Sequence, residues 1–253
     1  MIRLKEEINL SIQSARQRGI ELYPIPKEIA PNQAYDNPIT GSIYGILLNE
    51  RTSFEQQVET FHSKPYDSPP EAPILYIKPE NTKAGHLESV YLPESEKHVQ
   101  VGGTLGVIIG KTATNVSAEH TLEYVSGYTI VNDLSLPHDS FFRPAVKYRA
   151  LDRFNPAGPW IVSKQTIPNP NNVTIVTKIN DIVVDEWHTS SLIRSVETLI
   201  QDVTAFMTLS EGDCLLVGTK INLPRASVDD TVSIMIEEIG TLTTTIARET
   251  EEA

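Results

Sequence analysis

The stretch from Ser135 to Trp160, SLPHDSFFRPAVKYRALDRFNPAGPW, gathers groups able to do chemistry. It sets Arg143, Lys147, Arg149, Asp152 and Arg153 among aromatic residues and prolines. Cationic side chains among aromatic faces suit a pocket for a small carboxylate, because a planar guanidinium meets a carboxylate through two parallel hydrogen bonds. A surface loop tied by ion pairs would have the same composition, and the residues alone leave both readings open. Just upstream, GYTIVND puts Asp133 at the C-terminal end of an apolar strand, where a carboxylate either serves a site or caps a turn. His138 follows, beside Asp139.

Other reactive residue types point away from familiar chemistries. The six histidines (His62, His86, His98, His120, His138 and His188) show no HExxH or paired metal-ligand spacing, so each reads more readily as a surface or cap residue than as a ligand. No Gly-x-Ser-x-Gly elbow is present. Cys214, the single cysteine, sits inside the apolar run CLLVGT and reads as a core thiol; it also excludes a disulfide framework. Gly102, Gly103 and Gly106 precede a strand rather than opening a helix, which removes a dinucleotide loop.

The elements that must position these residues are mostly strands. SIYGILLN, APILYIKP, GTLGVIIG and YTIVND are short apolar runs between turn residues. VTIVTKI and IVVDEW flank Asn180-Asp181, which predicts a hairpin turn, and TVSIMIEEIGTLTTTIA predicts another hairpin. Ser117 is expected to cap a brief helix over AEHTLEYVS. The longest helix is expected in SSLIRSVETLIQDVTAFMTL, with Leu192, Val196, Leu199, Val203 and Phe206 on one face. Leu4, Ile8 and Ile12 predict an N-terminal amphipathic helix stopped at Gly19, and the prolines between Tyr23 and Pro38 predict an extended connector. Strands do not alternate with helices, so a β-rich α+β fold is expected, with a helical arm and connector over 1–40 and one domain over 41–253. The 253 residues carry 33 acidic and 21 basic side chains, a net charge of -12, which argues against nucleic acid as a partner. No apolar run approaches the roughly 20 residues of a membrane span, and no signal-like leader opens the sequence, so a cytoplasmic location is expected.

Three segments then carry a resemblance. VIIGKTATNVSAEHTLEYVSGYTIVNDLS, DRFNPAGPWIVS and MTLSEGDCLLVGT resemble, in order and spacing, the fumarylacetoacetate hydrolase superfamily, over about Ser42 to Ile246. IKPENT, KTATNV and NDLSLPHDSFFRPAVK are similar to the branch acting in homoprotocatechuate (4-hydroxyphenylacetate) breakdown, and more to the first of its two homologous halves. That branch decarboxylates 5-oxopent-3-ene-1,2,5-tricarboxylate and isomerises 2-hydroxyhepta-2,4-diene-1,7-dioate. The resemblance implies a mixed β-sandwich roll with a few short helices, and a small 2-oxo or enol di- or tricarboxylate as substrate. It also implies a divalent cation, Mg²⁺ or Mn²⁺, held by a Glu-x-Glu pair and an Asp and acting as a Lewis acid.

Carried over by position, the resemblance gives Asp133, Arg149 and Lys78 as catalytic residues. Asp152, Gly218, Thr219, Arg143 and His138 fall to the substrate, and Asp133 to the metal. Gly102 and Thr104 stand where the Glu-x-Glu pair belongs, Arg149 where the family has Lys, Pro137 where it has Arg, and Ser53 near a usual His. Two expectations follow: an enzyme acting with a weak or substrate-bridged metal, or a degenerate subunit pairing with an intact homologue as a heterodimer. A homodimer, and a C–C hydrolase of acylpyruvates, remain further alternatives.

Overall fold

The structure is a computed structural model, and it describes residues 33–66, 68–138 and 145–248 together with the backbone of Leu22–Tyr23. The expected N-terminal helix, Arg143 and the chain end lie outside the described residues. Where an extended connector was expected, Leu22–Tyr23 pair antiparallel with Val162 and Ile161.

The longer strands are β1 (Ile43–Leu47), β2 (Ile74–Lys78), β3 (Ser89–Leu92), β4 (Gly103–Ile109), β5 (Val125–Asn132), β6 (Asn155–Ser163), β7 (Thr174–Ile179), β8 (Ile182–His188), β9 (Cys214–Leu216), β10 (Thr231–Ile236) and β11 (Gly240–Arg248). They form two mixed sheets. The first runs Leu22–Tyr23, β6, β5, β4, β9, β1, β2, with only β9 and β1 parallel along that path. The second runs β8, β7, β10, β11, β3, with β11 and β3 parallel.

Every residue of β4 is buried, because the first sheet is covered on both faces. Leu105, Val107, Ile130 and Leu215 face the main core between the sheets, while Ile108, Val131, Cys214 and Leu216 point to a smaller apolar cluster behind. Two indoles tie the sheets together: Trp187 Nε1 donates to the Gly103 carbonyl at 3.1 Å and Trp160 Nε1 to that of Ile239 at 2.9 Å.

The first sheet is rolled. Laid flat, the four steps from β5 to β2 would separate those strands by roughly 19 Å at about 4.8 Å per step. Instead, the Lys78 ammonium at the end of β2 stands 2.8 Å from the Asp133 carboxylate just beyond β5. The chain after β2 completes the closure, where Lys83–Ala84 pair in parallel with Asn155 and Pro156 at the start of β6.

The Asn180-Asp181 turn forms with φ of 49° and 67°, the backbone that a two-residue hairpin of this kind needs. The helices depart from expectation at their ends. The longest, Val196–Thr204, starts late because the Ser195 hydroxyl accepts from the Thr198 N–H and caps it there. It ends early because Leu209 and Ala113 exchange backbone hydrogen bonds of 2.8 and 3.0 Å, which pull the chain out straight. Leu192 therefore packs from outside the helix, and Phe206 is 67% exposed. Ala118–Tyr124 is a 3-10 helix, and Ser117 makes no side-chain cap bond to it. Among the described residues, no helix is long and apolar enough to cross a membrane.

Candidate ligand-binding site

The roll brings together residues distant in sequence. Asp133 follows the last residue of β5, and its N–H donates to the Gly102 carbonyl at 2.9 Å, fixing the strand end where the side chain turns inward. Tyr76 and Lys78 lie two apart on β2 and so project to one face. Tyr76 pairs with Gly45 across the ladder, and a Cβ at Gly45 would clash with the hydroxyl end of the tyrosine ring; the missing side chain lets the ring lie over β1. A single helical turn, α1 (Val146–Arg149), presents Arg149.

Tyr76, Lys78 and Arg149 converge on the Asp133 carboxylate. Asp133 is fully buried; its Oδ2 accepts from Arg149 Nη1 at 2.9 Å and from the Tyr76 hydroxyl, and its Oδ1 faces Lys78 Nζ at 2.8 Å. The Arg149 guanidinium lies over the Tyr76 ring, 4.6 Å from its centroid. Lys78 is 2% exposed and gives its three protons to the carbonyls of Leu134, Arg149 and Phe154 at 2.7, 3.0 and 2.9 Å. These bonds tie β2 to the chain on either side of the helical turn.

Burial works to raise the Asp133 pKa, but the charges of Lys78 and Arg149, the close approach of the Lys78 ammonium and the Tyr76 hydrogen bond outweigh it and hold the carboxyl below its usual range. Burial pushes Lys78 down to about 8 against the pull of Asp133. Burial and the facing carboxylate both drive Tyr76 well above its ordinary value. The Asp133 shift makes stability depend on acid. As pH falls past the ordinary value of 3.8, the unfolded chain takes up the proton before the folded one does. The contribution is therefore complete above 3.8 and lost as pH falls through the lower folded value. Urea midpoints measured between about pH 5 and about pH 2 should drop on the acid side. A flat profile would contradict the cluster.

A small cleft opens beside Arg149, lined also by Gln100, His138, Thr219, Lys220 and Leu47. His138 stacks on Tyr148 with ring centroids 5.2 Å apart. Lys220 is tied to Asp185 at 2.6 Å and to the Glu186 carbonyl at 2.8 Å. Of the residues expected to touch substrate, Thr219 and His138 line this cleft, and Gly218 lies next to it with φ of 118°. Asp152 does not join them: it is exposed, bonded to Asn81 at 2.6 Å, and lines a different cleft with Glu80, Lys83 and Glu88. Ser53 is buried in a structural role; its hydroxyl donates to Glu50 at 2.6 Å and accepts from the Ile221 N–H at 3.1 Å. Tyr76 and Gln100 were not singled out from sequence, although Tyr76 sits two residues before Lys78 in a strand pattern, which is enough to put it on the same face.

The donor set does not fit a divalent cation. Both Asp133 oxygens already face cations or a hydroxyl. Gly102 has no side-chain donor, its carbonyl is taken by the Asp133 N–H, and a Cβ there would lie 2.7 Å from the Asp133 carbonyl oxygen. Thr104 is fully buried and its hydroxyl donates to the Gly218 carbonyl at 2.6 Å. Among the described residues no group of three His, Cys, Asp or Glu side chains is placed to hold a metal.

The sequence profile described as fumarylacetoacetate (FAA) hydrolase C-terminal matches residues 42–247. The 4-hydroxyphenylacetate degradation bifunctional isomerase/decarboxylase of Escherichia coli is 38% identical over 215 residues, which are 83% of this chain and 48% of that protein. This chain thus spans about half the length of such curated relatives. The crystal structure of 5-carboxymethyl-2-hydroxymuconate delta-isomerase from Mycobacterium smegmatis is similar at a TM-score of 0.71 and 28% identity, covering 87% of this chain and 83% of that one. Fumarylpyruvate hydrolase from Pseudomonas aeruginosa, in complex with Mn²⁺ and pyruvate, shares the fold at a TM-score of 0.70 and 19% identity, covering 88% of this chain and 100% of that one.

Proposed function

Since this chain belongs to the fumarylacetoacetate hydrolase family, we propose that it is a component of aromatic-acid catabolism that handles a small 2-oxo or enol di- or tricarboxylate. In this reading it works beside a homologous subunit that carries the divalent cation. The substrates would be 5-oxopent-3-ene-1,2,5-tricarboxylate, 2-hydroxyhepta-2,4-diene-1,7-dioate, or both.

The observation that carries the reading is the state of Asp133. Loss of carbon dioxide from a 2-oxo acid, or a proton shift along its chain, passes through an enolate that needs an electrophile at its oxygen. A divalent ion supplies that electrophile when its ligands are free, and here they are not. Asp133 is also a poor general base, because two cations and a tyrosine hydroxyl keep it ionised well below neutral pH. What persists is a positively charged cleft of the kind that receives a carboxylate.

Turnover assays on purified protein test this directly. The chain alone, with Mg²⁺, is expected to stay at background on either substrate. Activity should appear on adding a family member that retains Glu-x-Glu and Asp, and the two should co-elute on gel filtration. Robust turnover by the chain alone would overturn the partnership.

A further inference from the structure

We propose that the cleft beside Arg149 takes a carboxylate ligand on the guanidinium itself, with no divalent cation between protein and ligand. This rests on the ligand class proposed above but not on the assignment of turnover to a partner.

Arg149 is 6% exposed, and its Nη1 is committed to Asp133. Its Nε is buried without a hydrogen-bond partner. A guanidinium N–H taken out of water and left unpaired is costly, and an oxygen acceptor would satisfy it once the cleft side chains part to admit one. The plane of the fork is set by the Tyr76 ring beneath and by Asp133 at one edge, so it is held in place before a ligand arrives. A fixed fork suits the two oxygens of a carboxylate better than a mobile ammonium does.

The charge of the cluster points the same way. Asp133 neutralises one of the two cations that face it, so one positive charge is left over in a buried setting. No described side chain lining the cleft is a carboxylate that could balance it, since Gln100, His138, Thr219 and Lys220 are the polar members. Lys220 adds little because Asp185 already pairs with it. An anion entering the cleft is therefore the missing counter-charge. Gly102 and Thr104 add no negative charge beside the cluster, so nothing at those positions offsets its attraction for an anion.

Calorimetric titration with oxalate, on the full chain, tests the proposal. Oxalate should bind in EDTA, should bind no tighter in MgCl₂ once the oxalate held by free Mg²⁺ is subtracted, and MgCl₂ added alone to the protein should give no heat. Arg149→Lys, checked for folding by circular dichroism, should weaken oxalate by about tenfold through loss of the fork. Gln100→Glu, which keeps the backbone pairing of Gln100 with Ser135, should weaken it several-fold by placing an anion at the cleft. Binding that needs Mg²⁺, no binding in either buffer, or full affinity in both variants would overturn the proposal. Turnover by the chain alone would overturn only the partnership, provided that oxalate still binds in EDTA.

Discussion

Replacing Asp133 by asparagine is expected to lower folding stability by about 3–5 kcal/mol, the usual effect of removing one partner from a buried ion pair. The change is isosteric, so packing is kept and the effect is electrostatic. Lys78 and Arg149 would remain buried, facing each other across a neutral amide. The Tyr76 hydroxyl would lose an ionised acceptor at the same time. Since a domain is stable by only about 5–15 kcal/mol, such a variant should be partly unfolded or accumulate poorly. Urea denaturation of the purified variant checks this. A loss below about 1 kcal/mol would mean that water reaches the cluster and screens it. Lys78→Met in the Asp133→Asn background should cost less than the two single changes together, because the second removes a charge that the first left unpaired. The double variant should still fall short of the parent, since the carbonyls of Leu134, Arg149 and Phe154 lose their donor.

That cluster marks the boundary of what the sequence could convey. Strands such as GTLGVIIG and CLLVGT are readable because alternation, apolar runs and turn residues are local signals, and so is the Asn180-Asp181 hairpin. The roll is not local. It depends on β2 reaching β5 across three intervening strands and on Lys83–Ala84 pairing with the start of β6, contacts between residues as far apart in sequence as Lys78 and Asp133 or Lys83 and Asn155. Lys78, Asp133 and Arg149 could be singled out by resemblance to a family pattern, yet the pattern says nothing of how completely they engage one another. Composition also blurred two different clefts. The basic stretch from Ser135 to Trp160 supplies Arg149 and His138 to one, and Asp152 and Arg153 to the other, a division that composition does not register. The ends of the long helix are set by a related effect. Periodicity continued through Phe206, but the bridge between Leu209 and Ala113, made by a segment far away, decides where the helix stops.

Restoring glutamate at both Gly102 and Thr104 is expected to weaken the fold by about 2–5 kcal/mol without creating a cation site. The first substitution meets backbone: a Cβ on residue 102 would lie 2.7 Å from the Asp133 carbonyl oxygen and 3.1 Å from Thr219 Cγ2. The oxygen belongs to a main chain pinned by the Asp133 N–H bond to Gly102, so it cannot simply rotate away. The second substitution removes the Thr104 hydroxyl bond to the Gly218 carbonyl and puts an ionised group at a fully buried position. Three carboxylates close together would attract Mg²⁺, but the ion must also displace Tyr76, Arg149 and Lys78 from Asp133. Those contacts hold Asp133 as a counter-ion, and they would persist in the variant. Thermal denaturation with and without MgCl₂ separates the outcomes. Equal melting temperatures would show that the pocket is organised around its fixed cations. A marked rise with Mg²⁺ would show that the strand end at Gly102 can yield, and that only the two side chains stand between this chain and a metal centre. Oxalate binding in EDTA should fall in the same variant, because two added anions would oppose the charge left over on Arg149 and Lys78.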